Sequence, residues 1–188
     1  MTLHAAPPAA ELGAPVLHAA SRGDREAFAA IVDRYDPGLR ALAYRLLGRP
    51  DLMDDALQEA YVRAFRALPR FRGEARLGSW LYRIVYNTCL DELARSRRAV
   101  EVPLDDADDR PDPRPDVADA LARRDGLALA LHRLAPEERA AVLLVDAQGF
   151  DYRSAGEVLG VPEGTVASRL NRARAALRRV LDPGGGST

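Results

Sequence analysis

The segment 159-LGVPEGTVASRLNRARAALRRVL-181 decides how the rest of the chain is read. Val166, Leu170, Ala173, Leu177 and Leu181 recur at three- and four-residue steps, the buried stripe of an amphipathic helix. Ser168, Arg169, Arg172, Arg178 and Arg179 fall outside that stripe, and no acidic residue interrupts residues 165–181. Arginines on a surface helix are usually no more than a solvated face, and it is the preceding residues that change the reading. In DYRSAGEVLG, residues 151–160, Asp151 suits the N-cap of a short helix, Ala155, Val158 and Leu159 turn inward, and Gly160 takes a C-terminal cap position. The next helix starts directly after Val161 and Pro162. Two short helices joined by a tight glycine-containing turn make a helix-turn-helix, whose second helix lies in the DNA major groove. Gly156 fits this geometry as the small residue at a close helix crossing. Arg169 and Arg172 have the chemistry to donate to guanine edges or phosphates, with Ser168 and Asn171 as shorter-range readers.

Charge and composition agree with this once their distribution is considered. The net charge of −1 is low for a nucleic-acid binder. However, Asp105, Asp106, Asp108, Asp109, Asp112 and Asp116 concentrate negative charge in residues 101–119 and offset basic clusters elsewhere. The 47% hydrophobic and 6% aromatic content points to Ala/Leu-rich helices, in one medium domain or two small ones. A lone cysteine, Cys89, excludes an intramolecular disulfide and fits a reducing cytoplasm; in helix register with Leu81, Val85 and Leu93 it reads as a small buried residue. His4, His18 and His132 are scattered, which argues against a metal centre or hydrolase. Residues 1–22 lack a basic start and their apolar residues are broken by prolines, so they read as a flexible leader rather than a signal peptide or membrane span.

Along the chain the pattern is all-α, with two helical blocks and a tether between them. Phe28, Ile31, Val32 and Tyr35 form one stripe from Asp24 onward; Asp36 and Pro37 suit a new cap and first helical position, after which Leu39, Leu42, Leu46 and Leu47 form a second stripe closed by Gly48. Asp51 opens a further helix with Leu52, Ala56, Ala60, Tyr61, Ala64 and Leu68 inside and Asp54, Asp55, Gln58, Glu59 and Arg63 outside, ending at Pro69. Residues 70–79 read as a loop, with Ser79 placed to cap the last helix of the block. That block spans residues 23–98. Residues 99–122, with prolines among aspartates, read as a disordered acidic linker. Residues 123–181 form the helix-turn-helix block, and residues 182–188 a flexible tail.

The helix after Ser79 carries Arg83, Asn87, Arg95, Arg97 and Arg98 together with Tyr82 and Tyr86. Positive charge beside aromatic faces suits single-stranded DNA, because cations follow the phosphates while unstacked bases lie on rings or enter pockets. Tyrosines at four-residue spacing are also ordinary packing residues, and Trp80 reads as core.

The segments DREAFAAIVDRYDPGLRALAYRLLG, DLMDDALQEAYVRAFRAL and FRGEARLGSWLYRIVYNTCLDELARSRR, followed after the tether by LAPEERAAVLLVDAQGFDYRSAGEVLGVPEGTVASRLNRARAALRRVL, resemble the extracytoplasmic-function (group IV) sigma factors of bacterial RNA polymerase. They are similar to the actinobacterial sigma-M branch, and the resemblance covers residues 23 to 181. It implies a non-enzymatic, cytoplasmic protein without cofactor that binds polymerase core, at the beta-prime clamp helices and the beta flap, and promoter DNA. It implies that Asp54, Asp55, Gln58, Glu59, Arg63 and Arg66 meet the polymerase. Phe71, Ser79, Arg83, Tyr86, Asn87 and Arg95 would handle the minus-ten element and a flipped base, and Thr165, Ser168, Arg169, Asn171 and Arg172 would read the minus-thirty-five element. It also implies an anti-sigma factor as a holding partner. Many members carry a basic residue at the position of Ala167 and a bulky aliphatic at that of Ala155. The alternative reading is a stand-alone helix-turn-helix regulator that binds DNA as a dimer.

Overall fold

The computed structural model describes residues 13–101 and 122–181, and every regular element among them is helical. The linker reading for residues 102–121, the tail and residues 1–12 lie outside the described residues. Residues 99–101 continue the preceding helix instead of opening the linker. The first block holds α1 (Ala14–Ser21), α2 (Arg25–Leu47), α3 (Pro50–Ala67), a 3-10 turn (Leu68–Arg70) and α4 (Leu77–Glu101). The second holds α5 (Ala122–His132), α6 (Pro136–Val142), a π-helical turn (Leu143–Ala147), α7 (Tyr152–Leu159) and α8 (Glu163–Leu181).

Part of the expected leader is α1. Pro15 sits in its first turn, where the missing N–H costs nothing, and Ala20 is buried, with Val16 and Leu17 packed on the core. Asp24 then caps α2 by accepting from the Glu26 and Ala27 amides at 2.9 and 3.1 Å. The break expected at Asp36 and Pro37 does not occur, because α2 runs straight through it. Ile31, Tyr35, Leu39, Leu42 and Leu46 form one unbroken buried stripe. Burying a leucine contributes about 1.5 to 3 kcal/mol, so three of them outweigh the roughly 3 kcal/mol cost of an internal proline. Asp36, freed from capping, accepts from the Tyr61 hydroxyl of α3 at 2.6 Å. The helix α3 begins one residue ahead of Asp51, with Pro50 at its start. Ser79 is likewise not a cap: α4 starts two residues earlier and buries it.

The two blocks also bury surface against one another and share one hydrophobic core, which the sequence did not indicate. The Tyr82 ring of α4 packs edge-on against Phe150 with centroids 4.9 Å apart. Its hydroxyl donates to Gln148 Oε1 at 3.1 Å, and Gln148 Nε2 donates to the Gly38 carbonyl of α2 at 3.3 Å. The strongest tie is Arg139 of α6, only 5% exposed. Its guanidinium donates to the carbonyls of Leu131, His132 and Leu134, at 2.8, 2.8 and 3.2 Å, and to that of Leu46 in the other block at 2.7 Å. Leu46 lies at the C-terminal end of α2, and Leu131 and His132 at that of α5, where unpaired carbonyls and the negative ends of helix dipoles favour a cation.

Arg139 Nη1 also lies 3.1 Å from His132 Nδ1. A guanidinium only donates, so Nδ1 is the acceptor and the imidazole is neutral. Burial, with the Arg139 charge, holds His132 below the ordinary imidazole value of 6.5. The unfolded chain therefore takes up this proton first as pH falls. Stability should decline below about pH 6.5 and level off once the pH passes the lower value of the folded state. Urea midpoints at a series of pH values should show this, and His132→Gln should flatten that part of the profile.

Candidate nucleic-acid and polymerase interface

The helix-turn-helix is built as its sequence suggests. Asp151 Oδ1 accepts from the Ser154 amide at 2.6 Å, a bond that holds its carboxyl below the usual range. Gly160 closes α7 in the left-handed conformation at φ +66°. A Cβ on Gly156 would stand 2.7 Å from the Val161 carbonyl, so the turn can close only over glycine. Beneath α8, Val166, Leu170 and Ala173 are completely buried, as is Ala155 of α7.

This anchoring fixes the outer face of α8. Asn171 and Ser168 are exposed, and the Ser168 hydroxyl donates to the Thr165 carbonyl at 3.0 Å. Arg172 is the open arginine of the set, its side chain 64% exposed, with Nε donating to Glu138 Oε1 of α6 at 2.9 Å. Arg169 is half-buried and within electrostatic reach of Tyr86 in the first block. Arg174 lies outside the predicted set and uses Nε and Nη2 on the two oxygens of Asp146, tying α8 to the π-helical turn.

The residues expected at the minus-ten element divide into two groups. Arg83 and Asn87 are exposed on α4, and Arg83 reaches toward the turn at Gly160. Tyr86 is only 3% exposed and, like Tyr82, packs into the core, so neither ring is a free stacking face in this conformation. Burial, aided by Glu137, pushes the Tyr86 hydroxyl up to about 12. Phe71 lies against Trp80 with centroids 5.1 Å apart. Beside it the loop forms a cleft of about 300 Å³ bounded by Leu17, Tyr35, Phe71, Glu74 and Leu77. Leu17 belongs to α1, so the helix taken for a leader walls this cleft. Cys89 is fully buried and its thiol is pushed up to about 12 by burial.

The residues read as the outer face of α3 are not all free, because several pair with neighbouring helices. Asp54 accepts from Arg40 of α2 at 2.6 Å. Glu59 pairs with Arg63 and with Arg95 of α4, and Arg63 reaches Asp91 at 2.8 Å. A residue assigned to the minus-ten set, Arg95, is thus joined to one assigned to the polymerase face. Apart from the Glu59–Arg63 pair within α3, these contacts join two helices and leave no mark in the periodicity of either. Asp55, Gln58 and Arg66 are exposed. Among the described residues no cluster of His, Cys, Asp and Glu could hold a metal ion, and no helix is long and apolar enough to cross a membrane.

The described residues thus set a helical block with exposed basic residues on α4 beside a helix-turn-helix block. Residues 31–99 match the model for sigma-70 region 2, and residues 124–177 that for sigma-70 region 4. The chain is 42% identical over 168 residues to the ECF RNA polymerase sigma factor SigM of Mycobacterium tuberculosis, covering 89% of this chain and 84% of that protein. It is 34% identical over 173 residues to the RNA polymerase sigma-H factor of Pseudomonas aeruginosa, covering 86% and 90%. Among solved structures, CnrH in complex with the cytosolic domain of CnrY matches with a TM-score of 0.68 at 27% identity, over 91% of this chain and 97% of that one. The sigma factor RpoE in complex with the anti-sigma factor NepR from Bartonella quintana matches with a TM-score of 0.66, also at 27% identity, over 84% and 98%. The chain belongs to the sigma-70 family, as an extracytoplasmic-function sigma factor.

Proposed function

We propose that this chain binds RNA polymerase core in the cytoplasm and directs it to a restricted set of promoters, with α8 reading the minus-thirty-five element and α4 with the loop at Phe71 handling the minus-ten element. The carrying observation is α8, whose Val166, Leu170 and Ala173 are fully buried while Asn171 and Arg172 are exposed on another face. The exposed residues Asp55, Gln58 and Arg66 of α3 are the part of that face best placed to meet the polymerase. Two weak DNA contacts on one chain raise each other's effective concentration once core polymerase sets their spacing. An anti-sigma factor that grips both blocks is the fitting regulatory partner.

The test is transcription by core polymerase reconstituted with the full chain on a genomic fragment library. Promoter-dependent transcripts with shared upstream elements support the reading, and absence of any gain over core alone overturns it. Arg172→Ala should cost about 1 to 3 kcal/mol at the minus-thirty-five element. Filter binding of holoenzyme to matched and scrambled upstream elements measures that loss. The matches to both sigma-70 regions set aside the stand-alone regulator reading.

A further inference from the structure

We infer that Glu138 of α6 is a positioning residue that sets how Arg172 addresses a base pair, an inference that rests on the minus-thirty-five reading above. Glu138 lies in the first turn of α6, and its side chain is 22% exposed, whereas that of Arg172 is 64% exposed. The bond between them joins helices 34 residues apart and uses one edge nitrogen only, Nε to Oε1 at 2.9 Å. Holding Nε leaves the two terminal nitrogens, which form the end of the guanidinium fork. Two parallel N–H groups at that end match the O6 and N7 acceptors of guanine.

Arg174 supplies the contrast. Its Nε and Nη2 both engage Asp146, so the whole edge of its fork is occupied and the side chain serves as a strut. Arg172 is tethered at one point and open at the other. The carboxylate has a second effect. It partly neutralises the arginine and repels neighbouring phosphates, so Arg172 is steered from sequence-independent backbone pairing toward a base edge. An unrestrained arginine would have many rotamers to lose on binding and would pair readily with phosphate.

The experiment uses holoenzyme assembled from core polymerase and the full chain, with promoter duplexes carrying each of the four base pairs at every minus-thirty-five position. Arg172→Ala identifies the position where base preference collapses. Glu138→Ala should reduce preference at that same position by about threefold to tenfold, with affinity for an unrelated duplex unchanged or raised and its salt dependence steeper. Glu138→Gln keeps an acceptor for Nε and should retain more of the preference than Glu138→Ala. A purely structural role would lower affinity for all duplexes alike, and that outcome overturns the inference. Full preference in Glu138→Ala while Arg172→Ala loses it overturns the positioning role alone. No loss in Arg172→Ala overturns the reading of α8 together with it.

Discussion

Arg139→Leu should lower the stability of the chain by about 3 to 5 kcal/mol, the range for leaving buried, charge-assisted partners unpaired. The guanidinium serves carbonyls at the ends of α2 and α5 and that of Leu134, and leucine removes this donor from all of them, the buried carbonyls of Leu46 and Leu134 included. Arg139→Lys should recover only part of the loss, since a compact ammonium cannot spread its donors over the same fork. The loss should appear as a lower urea midpoint by circular dichroism. A change below about 1 kcal/mol would mean that water replaces the side chain and that the tie between blocks is weak.

Leu170→Ala should cost about 2 to 5 kcal/mol, because the side chain is completely buried beneath the recognition helix and its removal leaves a cavity. The same helix then offers a comparison between its two faces. Leu170→Ala acts on folding, and the folded fraction should keep its base preference, whereas Arg172→Ala should change base preference and leave the urea midpoint within about 0.5 kcal/mol. If Leu170→Ala altered preference as strongly as stability, the orientation of α8 would depend on that single contact.

Local signals carried much of this fold. The caps at Asp151 and Gly160 and the buried part of the α8 stripe, Val166, Leu170 and Ala173, are each set by residues within a few positions of one another, and the structure reproduces them. Local rules failed where distant contacts outweighed them. A proline preceded by a capping residue reads as a helix start, yet the buried leucines beyond Pro37 carry α2 through it. Residues 14–21 looked too broken for structure, but packing against α2 and the 3-10 turn at Leu68 orders them. The candidate site divides in the same way. Asn171 and Arg172 could be placed from helical phase alone. Glu138 and Asp146, which hold two of the arginines of α8, lie 34 and 28 residues away in sequence. Nor does periodicity separate a tyrosine that stacks on a base from one that packs on the opposite block, and Tyr86 packs.

Trp80 is the sole tryptophan of the chain, and it sits beside Phe71 in the first block, far in sequence from the helix-turn-helix. Its emission therefore reports one block without any added label, while far-ultraviolet ellipticity, drawn from the helices of both blocks, reports both. The two signals can be followed in one denaturant titration. Superposed curves are the mark of a single cooperative unit and displaced ones of blocks that melt apart, so the seam held by Arg139, Gln148 and Phe150 has an intrinsic optical readout.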